Sequence, residues 1–153
     1  MAAKVTIDIV PARGKHCRAI ARRMRAADID ECHAMAGLSP LDGLRLSMKR
    51  SRAFTALFDG RPEVMFGTAD LNVLAGIGSV WLLGTDAVER HPQDFLRLCA
   101  KWRPKLFERY SVLRNVVDIE NNTSIRWLRW LGAEFSATFD LRGHTFVLFE
   151  LRK

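Results

Sequence analysis

Few places in this chain could do acid–base chemistry. In VDIENNTSIRWLRWLGAEF, residues 117 to 135, the carboxylates Asp118 and Glu120 end an alternating run. Either could accept a proton if its surroundings tuned its pKa near the working pH, although carboxylates at strand ends are more often simply solvated. Asn121 follows at once. Its amide could cap a helix or contact a ligand lying along a strand opening, and the sequence leaves both roles open. Arg90 and His91, in AVERHPQDFLRL, offer a cation and a donor before another helix. A lone Arg in a loop is more often just surface.

Other chemistries find less support. His16, His33, His91 and His144 have no i, i+4 pairing and no cysteine partners at zinc spacing, so no metal site is expected. Neither a GxSxG elbow nor a phosphate-binding GxxxxGK[ST] loop is present. Cys17, Cys32 and Cys99 form an odd, scattered set without a CxxC, which predicts free thiols in a reducing compartment. Cys99 lies on the apolar face of a helical pattern and reads as packing rather than as a nucleophile.

The elements that must position these residues follow from periodicity. KVTIDIV alternates, with Val5, Ile7 and Ile9 on one side, and predicts a strand closed by Pro11. Cys17, Ile20, Ala21 and Met24 recur at helical spacing. Arg18, Arg22 and Arg25 share a face of that helix and read as a solvated stripe. Asp28 and Glu31 fit a capping box opening a second helix that ends near Gly37. Ser39 and Pro40 open a third, to about Lys49. A hairpin of Ala53–Phe58 with Glu63–Thr68 turns at Asp59-Gly60. DLNVLAGIG reads as a link, and GSVWLLG as a strand buried on both faces. Phe95, Leu98, Cys99, Trp102 and Leu106 mark a helix that Pro104 should kink or divide. After the strand SVLRNVVDIE, Asn121 or Asn122 caps a helix that buries Ile125, Trp127, Leu128 and Leu131. Arg126 and Arg129 face solvent, and Gly132 stops the helix. EFSATFDL and TFVLFEL, joined at Arg142-Gly143, are the last strands. The order β-α-α-α-β-β-β-α-β-α-β-β implies an α/β or α+β sheet covered by helices.

Composition bounds the rest. With 153 residues, 48% of them hydrophobic, the chain is expected to form one domain over residues 1–153. No internal repeat shows at the usual periods. The N-terminal MAAKVTIDIVPARGK lacks the apolar stretch of a signal peptide, and no apolar run approaches the ~18 residues of a membrane span. A protein that stays in the cytosol or is packaged from it is therefore expected. The net charge of +7 permits contact with nucleic acid or an acidic partner, but no nucleic-acid recognition motif supports it.

The element order resembles the GNAT (Gcn5-related N-acetyltransferase) fold. That fold is a mixed central sheet of about six to seven strands flanked by about four helices. The most specific likeness lies in Asn121, Ser124, the pair Trp127-Leu128, and Gly132, eleven positions after the Asn. WLLGTD, LRNVVD and SIRWLRWLGAEF are similar to one branch of that superfamily, the internal virion protein A branch of short-tailed bacteriophages. The GNAT resemblance implies that the fourth and fifth strands splay apart near Leu83 and Asp118 below the helix beginning at residue 92. It also implies that acetyl-CoA or another acyl-CoA would lie there, against Leu82, Leu83, Gly84, Arg90, His91, Asn121 and Ser124. Asp118 or Glu120 would then serve as base where an amine approaches.

The resemblance also shows departures. The family's diphosphate loop runs Gln or Arg, two residues, Gly, one residue, then Gly or Ala. Here Arg90 takes the first position, Gln93 and Phe95 replace the glycines, and Pro92 removes an amide donor. The position of the family's acidic tyrosine is Leu128, and the only tyrosine, Tyr110, precedes the fifth strand. Three functions follow as expectations. The first is a binding or internal-core assembly protein of the phage with a degenerate acyl-CoA site, meeting virion or host proteins in the host cytoplasm or virion interior. The second is an active N-acetyltransferase acting on a protein or small amine. The third is a nucleic-acid binder.

Overall fold

The computed structural model describes residues 4–153, so the first three residues of the N-terminal segment lie outside it. Strand β1 (Ile7–Pro11) pairs antiparallel with β2 (Arg52–Phe58), and β2 with β3 (Arg61–Asn72). The β2–β3 turn needs two positive φ angles, and Asp59 (49°) and Gly60 (82°) supply them. Strand β3 pairs in turn with β4 (Ile77–Gly84). The predicted link after Thr68 is thus shorter than expected. Ala69 and Asp70 still pair with Ser79 and Gly78, and only Val73–Gly76 form the turn. Backbone pairing overrides the weak strand propensity of Asp and Asn here.

The N-terminal helices lie on one face of this sheet. Helix α1 (Gly14–Ala21) buries Cys17 and Ile20 against Met65 of β3 and Leu83 of β4. It ends before Met24, which stays buried while bridging to Thr85. Helix α2 spans Ala26–Ala36 and ends at Gly37, with φ 66°. Its expected capping box is not formed. Arg25 is the N-cap and makes no side-chain cap, while Asp28 is buried in the first turn with other partners. The expected arginine stripe is broken too: Arg18 and Arg22 are exposed but Arg25 is 2% exposed. Helix α3 (Pro40–Arg50) starts as read, Ser39 accepting from the Asp42 amide at 3.2 Å.

The opposite face carries α5 (Pro92–Leu106) and α6 (Asn122–Trp130), whose Phe95, Leu98 and Trp127 pack on Phe66 and Ala56. A one-turn helix α4 (Ala87–Arg90) precedes α5. Six helices therefore flank the sheet among the described residues, rather than about four. Pro104 does not divide α5. It falls in the last turn, two residues before the helix ends, and the carbonyl it leaves without an amide is that of Ala100, an exposed residue where water can take the place of the amide.

Strands β5 (Val112–Asp118), β6 (Glu134–Leu141) and β7 (His144–Arg152) complete a seven-stranded sheet ordered β1-β2-β3-β4-β5-β7-β6. All neighbours are antiparallel except β4 and β5. That parallel pair is joined only at Ile77–Val112, Gly78–Leu113 and Ser79–Arg114. Beyond it the strands diverge, as the resemblance implied. The Asn115 amide closes the vertex by donating to the Val80 carbonyl at 2.6 Å.

Gly78 sits at this vertex under the Tyr110 ring. An added Cβ would meet ring carbons at 2.7–2.8 Å. The tyrosine cannot retreat easily, because its hydroxyl donates to Asp70 at 2.6 Å. Gly78→Ala is therefore expected to destabilise by about 1–3 kcal/mol through overpacking. A urea titration with unchanged slope checks this, and a midpoint equal to the parent's would refute the clash.

Candidate functional site in the splayed strand gap

Below the vertex the gap forms a cavity of about 350 Å³, within the usual range for ligand pockets. Its walls are apolar: Val80, Leu82, Val116 and Val117 from the two strands, with Phe66, Leu98 and Leu128 beside them. Phe95 of α5 and Trp127 of α6 meet across the helix side with ring centroids 4.6 Å apart.

The wide end is closed by polar groups from α2. The Arg25 guanidinium grips Asp28 with two hydrogen bonds, at 2.7 and 3.1 Å, with both side chains almost fully buried. Arg25 also donates to Glu89 (3.2 Å) and to the Ser124 hydroxyl (3.3 Å), and lies 5.1 Å from the Trp127 ring centroid. Asp28 in turn accepts from the Gly84 amide at 2.8 Å, and the Arg25 amide donates to the Gly84 carbonyl at 2.9 Å. Burial raises the Asp28 carboxyl, with Arg25 and the Gly84 amide pulling the other way.

This pairing decides which backbone groups of β4 face the gap. Strand residues alternate sides, so Gly84, Leu82 and Val80 face away from β3. Gly84 is held by α2 and Val80 by Asn115. Leu82 lies between them, with no side chain bonded to its backbone among the described residues. Leu83 instead faces β3 opposite Met65 and buries its side chain with Cys17 and Ile20.

At the end of β5, Asp118 accepts from the Glu120 amide (2.9 Å) and bonds Nδ1 of His144 on β7 (2.7 Å). Glu120 is exposed. Asn121 caps α6, its Oδ1 accepting from the Ser124 amide at 3.2 Å. The other end of that amide faces Glu31 at 3.4 Å. Burial and the neighbouring Asp28 charge push Glu31 up to about 7, partly offset by Asn121, Arg25 and the Asp118 amide. Gly84, Asn121 and Ser124 are thus gathered around Arg25, Asp28 and Glu31.

Arg90 and His91 stand apart, and neither lines the cavity. Arg90 is exposed, and the His91 ring lies edge-on to Phe58 with its Nδ1 buried and unpartnered. The backbone before α5 is already engaged. The Glu89 and Arg90 amides donate to the Asp86 carbonyl and the His91 amide to Ala87, closing the α4 turn.

Four residues of this site were not singled out from sequence. Arg25 read as surface, Asp28 and Glu31 as a capping box, and His144 as an unpaired histidine. Asp28 and Glu31 are one helical turn apart, which signals a shared face but not which way it points. Burial also disposes of the thiol: it pushes Cys99 up to about 12, against nucleophilic use. Among the described residues no group of three His, Cys, Asp or Glu could hold a metal ion, and no helix is long and apolar enough to cross a membrane.

A seven-stranded sheet with one splayed parallel pair defines the GNAT acetyltransferase fold, and solved structures bear this out. Ribosomal-protein-S18-alanine N-acetyltransferase from Escherichia coli superposes with a TM-score of 0.71 at 13% identity, over 96% of this chain and 94% of that one. The GNAT-family acetyltransferase from Bacillus anthracis gives 0.70 at 10% identity over 99% and 98%. For yncA from Salmonella typhimurium, solved with its cofactor acetyl-CoA, the values are 0.67 and 14% over 96% and 94%. At such identities the likeness is one of fold. Residues 63–140 match the profile of the family described as "Bacteriophage T7, probable scaffold protein Gp13", and the chain belongs to that family. The matched stretch runs from β3 into β6 and so contains both strands of the gap. No curated protein matches the sequence significantly.

Proposed function

We propose that this chain serves a phage as a binding or assembly protein built on an acetyltransferase fold, its acyl-CoA site degenerate. The observation that carries this is the start of α5. A diphosphate at a helix N-terminus needs several free amides. Here the amides of residues 89–91 are tied into the α4 turn, Pro92 has none and the Phe95 amide donates to His91, so only those of Gln93 and Asp94 are left at the helix start. Two further features agree. The Gly84 amide, at the open end of β4, is held by Asp28, and Arg25, Trp127 and Phe95 stack across the helix side of the gap.

The family match supports a phage role, and the fitting partners are virion or host proteins met in the host cytoplasm or the virion interior, including the internal core. One sheet runs through residues 7–152, which supports a single domain. Isothermal titration with acetyl-CoA tests the proposal. No binding, or binding weaker than about 1 mM, is expected. Low-micromolar affinity together with thiol release would overturn it.

One observation favours a second reading, an active N-acetyltransferase. Glu31 holds its carboxyl near 7 at the wide end of the gap, beside Asn121 and one residue contact from Asp118, and that is a suitable level for accepting a proton from an amine. Asp118 itself, bonded to His144, and Glu120, turned outward, are the bases proposed from sequence. Thiol release against a panel of amines and host lysate decides this reading; silence across acyl donors by folded protein removes it.

A further inference from the structure

We infer that the face formed by α1 and α3 binds double-stranded nucleic acid through its phosphate backbone. The two helices pack side by side over β3 and share the core of Cys17, Ile20 and Leu44. Cys17 Sγ lies 3.9 Å from Met48 Sδ, and both Arg18 and Arg45 act on the Cys17 thiol, which fixes the two helices' basic rows near one another. Opposite the shared core, Lys15, Arg18 and Arg22 repeat at i, i+3, i+7 on α1 and its end, and Arg45 and Lys49 at i, i+4 on α3, with Arg50 beside them. All six are exposed. None enters an ion pair among the described residues, although many other arginines of the chain do. The only acid on the two helices is Asp42.

Other cations without an ion pair among the described residues, such as Lys4, Lys101, Arg126 and Lys153, are scattered over different parts of the fold, whereas these six are gathered on two packed helices, and that chemistry suits a polyanion. The absence of apolar side chains on the face selects the kind. None of the exposed large hydrophobic residues lies on α1 or α3. A membrane-binding helix would carry apolar residues to insert among headgroups. A single-strand site would carry aromatic rings for base stacking. Two rigid rows of long basic side chains without either match a duplex backbone, read without sequence preference. Helix α3 also lines the cavity between β4 and β5 through Gly43, Leu46 and Ser47, but none of the six basic side chains does, so their charges can be changed without altering the cavity lining.

Fluorescence anisotropy of the full chain with a labelled mixed-sequence duplex of about 30 bp tests this. If about four phosphates are contacted, affinity should fall on the order of a hundredfold between about 50 and about 200 mM salt. A variant with Lys15→Glu, Arg18→Glu, Arg45→Glu and Lys49→Glu should bind at least tenfold more weakly, with a shallower salt slope. The comparison variant Lys4→Glu, Lys101→Glu, Arg126→Glu and Lys153→Glu makes the same change in net charge at exposed sites elsewhere. It should retain most of the affinity and the full slope. Equal losses in both variants would reduce the effect to bulk charge and overturn the inference. So would tighter binding to the single strand, no binding at low salt, or binding to phosphatidylserine vesicles without binding to the duplex. Unchanged circular dichroism melts keep the loss attributable to the surface.

Discussion

Arg25→Ala should lower stability by about 3–5 kcal/mol, because it strands a buried carboxylate. Asp28 is 1% exposed and its two oxygens face the guanidinium and the Gly84 amide. Without Arg25 the Gly84 amide alone would have to hold that charge, with Glu31 adding a like charge nearby. The guanidinium also packs on Trp127 and ties Ser124 and Glu89 to α2, so the loss reaches α4 and α6. For a chain of this size the thermal midpoint should drop by roughly 10 °C. The double variant Arg25→Met with Asp28→Asn removes both charges and keeps an acceptor for Gly84. It should lose clearly less than Arg25→Ala alone, since an apolar or neutral replacement of a whole buried pair is often close to neutral. Urea midpoints for the parent, Arg25→Met, Asp28→Asn and the double variant measure the coupling. Additive losses would mean that Arg25 acts only through packing.

What was legible in the sequence divides along range. The Asp59-Gly60 turn, the Ser39 cap with Pro40, the Asn121 cap and the Gly132 stop were readable because each rests on a conformational preference within four residues. Gly132, for instance, has φ 88°, which side chains resist. The gap came from resemblance alone, since no local pattern in Ile77–Gly84 or Val112–Asp118 says that pairing stops after three residues. Arg25, Asp28 and Glu31 were missed for the same reason. The Gly84 amide is 56 residues from Asp28, and Asn121 is 90 residues from Glu31. The spacing of Asp28 and Glu31 satisfied a local rule, but the sheet supplied better partners. The helix α4 was missed because four residues are too few to show a period. His144 needed a cross-strand neighbour, Asp118, which only the β5–β7 pairing brings within 2.7 Å.

Glu31 gives the chain a pH-dependent cost. Its carboxyl lies near 7 when folded, above an ordinary glutamate, because burial and Asp28 disfavour the charged form more than Asn121, Arg25 and the Asp118 amide support it. A raised carboxyl binds its proton more tightly in the folded state. Its contribution is therefore full below about pH 4.5 and is lost as pH rises toward 7, then stays constant. The loss is at most about 3 kcal/mol, and less where water reaches the half-buried side chain. Glu31→Gln keeps an acceptor for Asn121 and cannot ionise. Relative to the parent it should be close to neutral at pH 4.5 and stabilising by about 1–3 kcal/mol at pH 8. The parent's own profile also contains His16, which burial and the cations Lys15 and Arg13 lower, and which acts in the opposite sense as pH rises. The difference between variant and parent removes that contribution. Urea midpoints at the two pH values therefore isolate Glu31. A variant equally displaced from the parent at both would show that folding does not raise the carboxyl, and that the wide end of the gap has no group poised near neutrality.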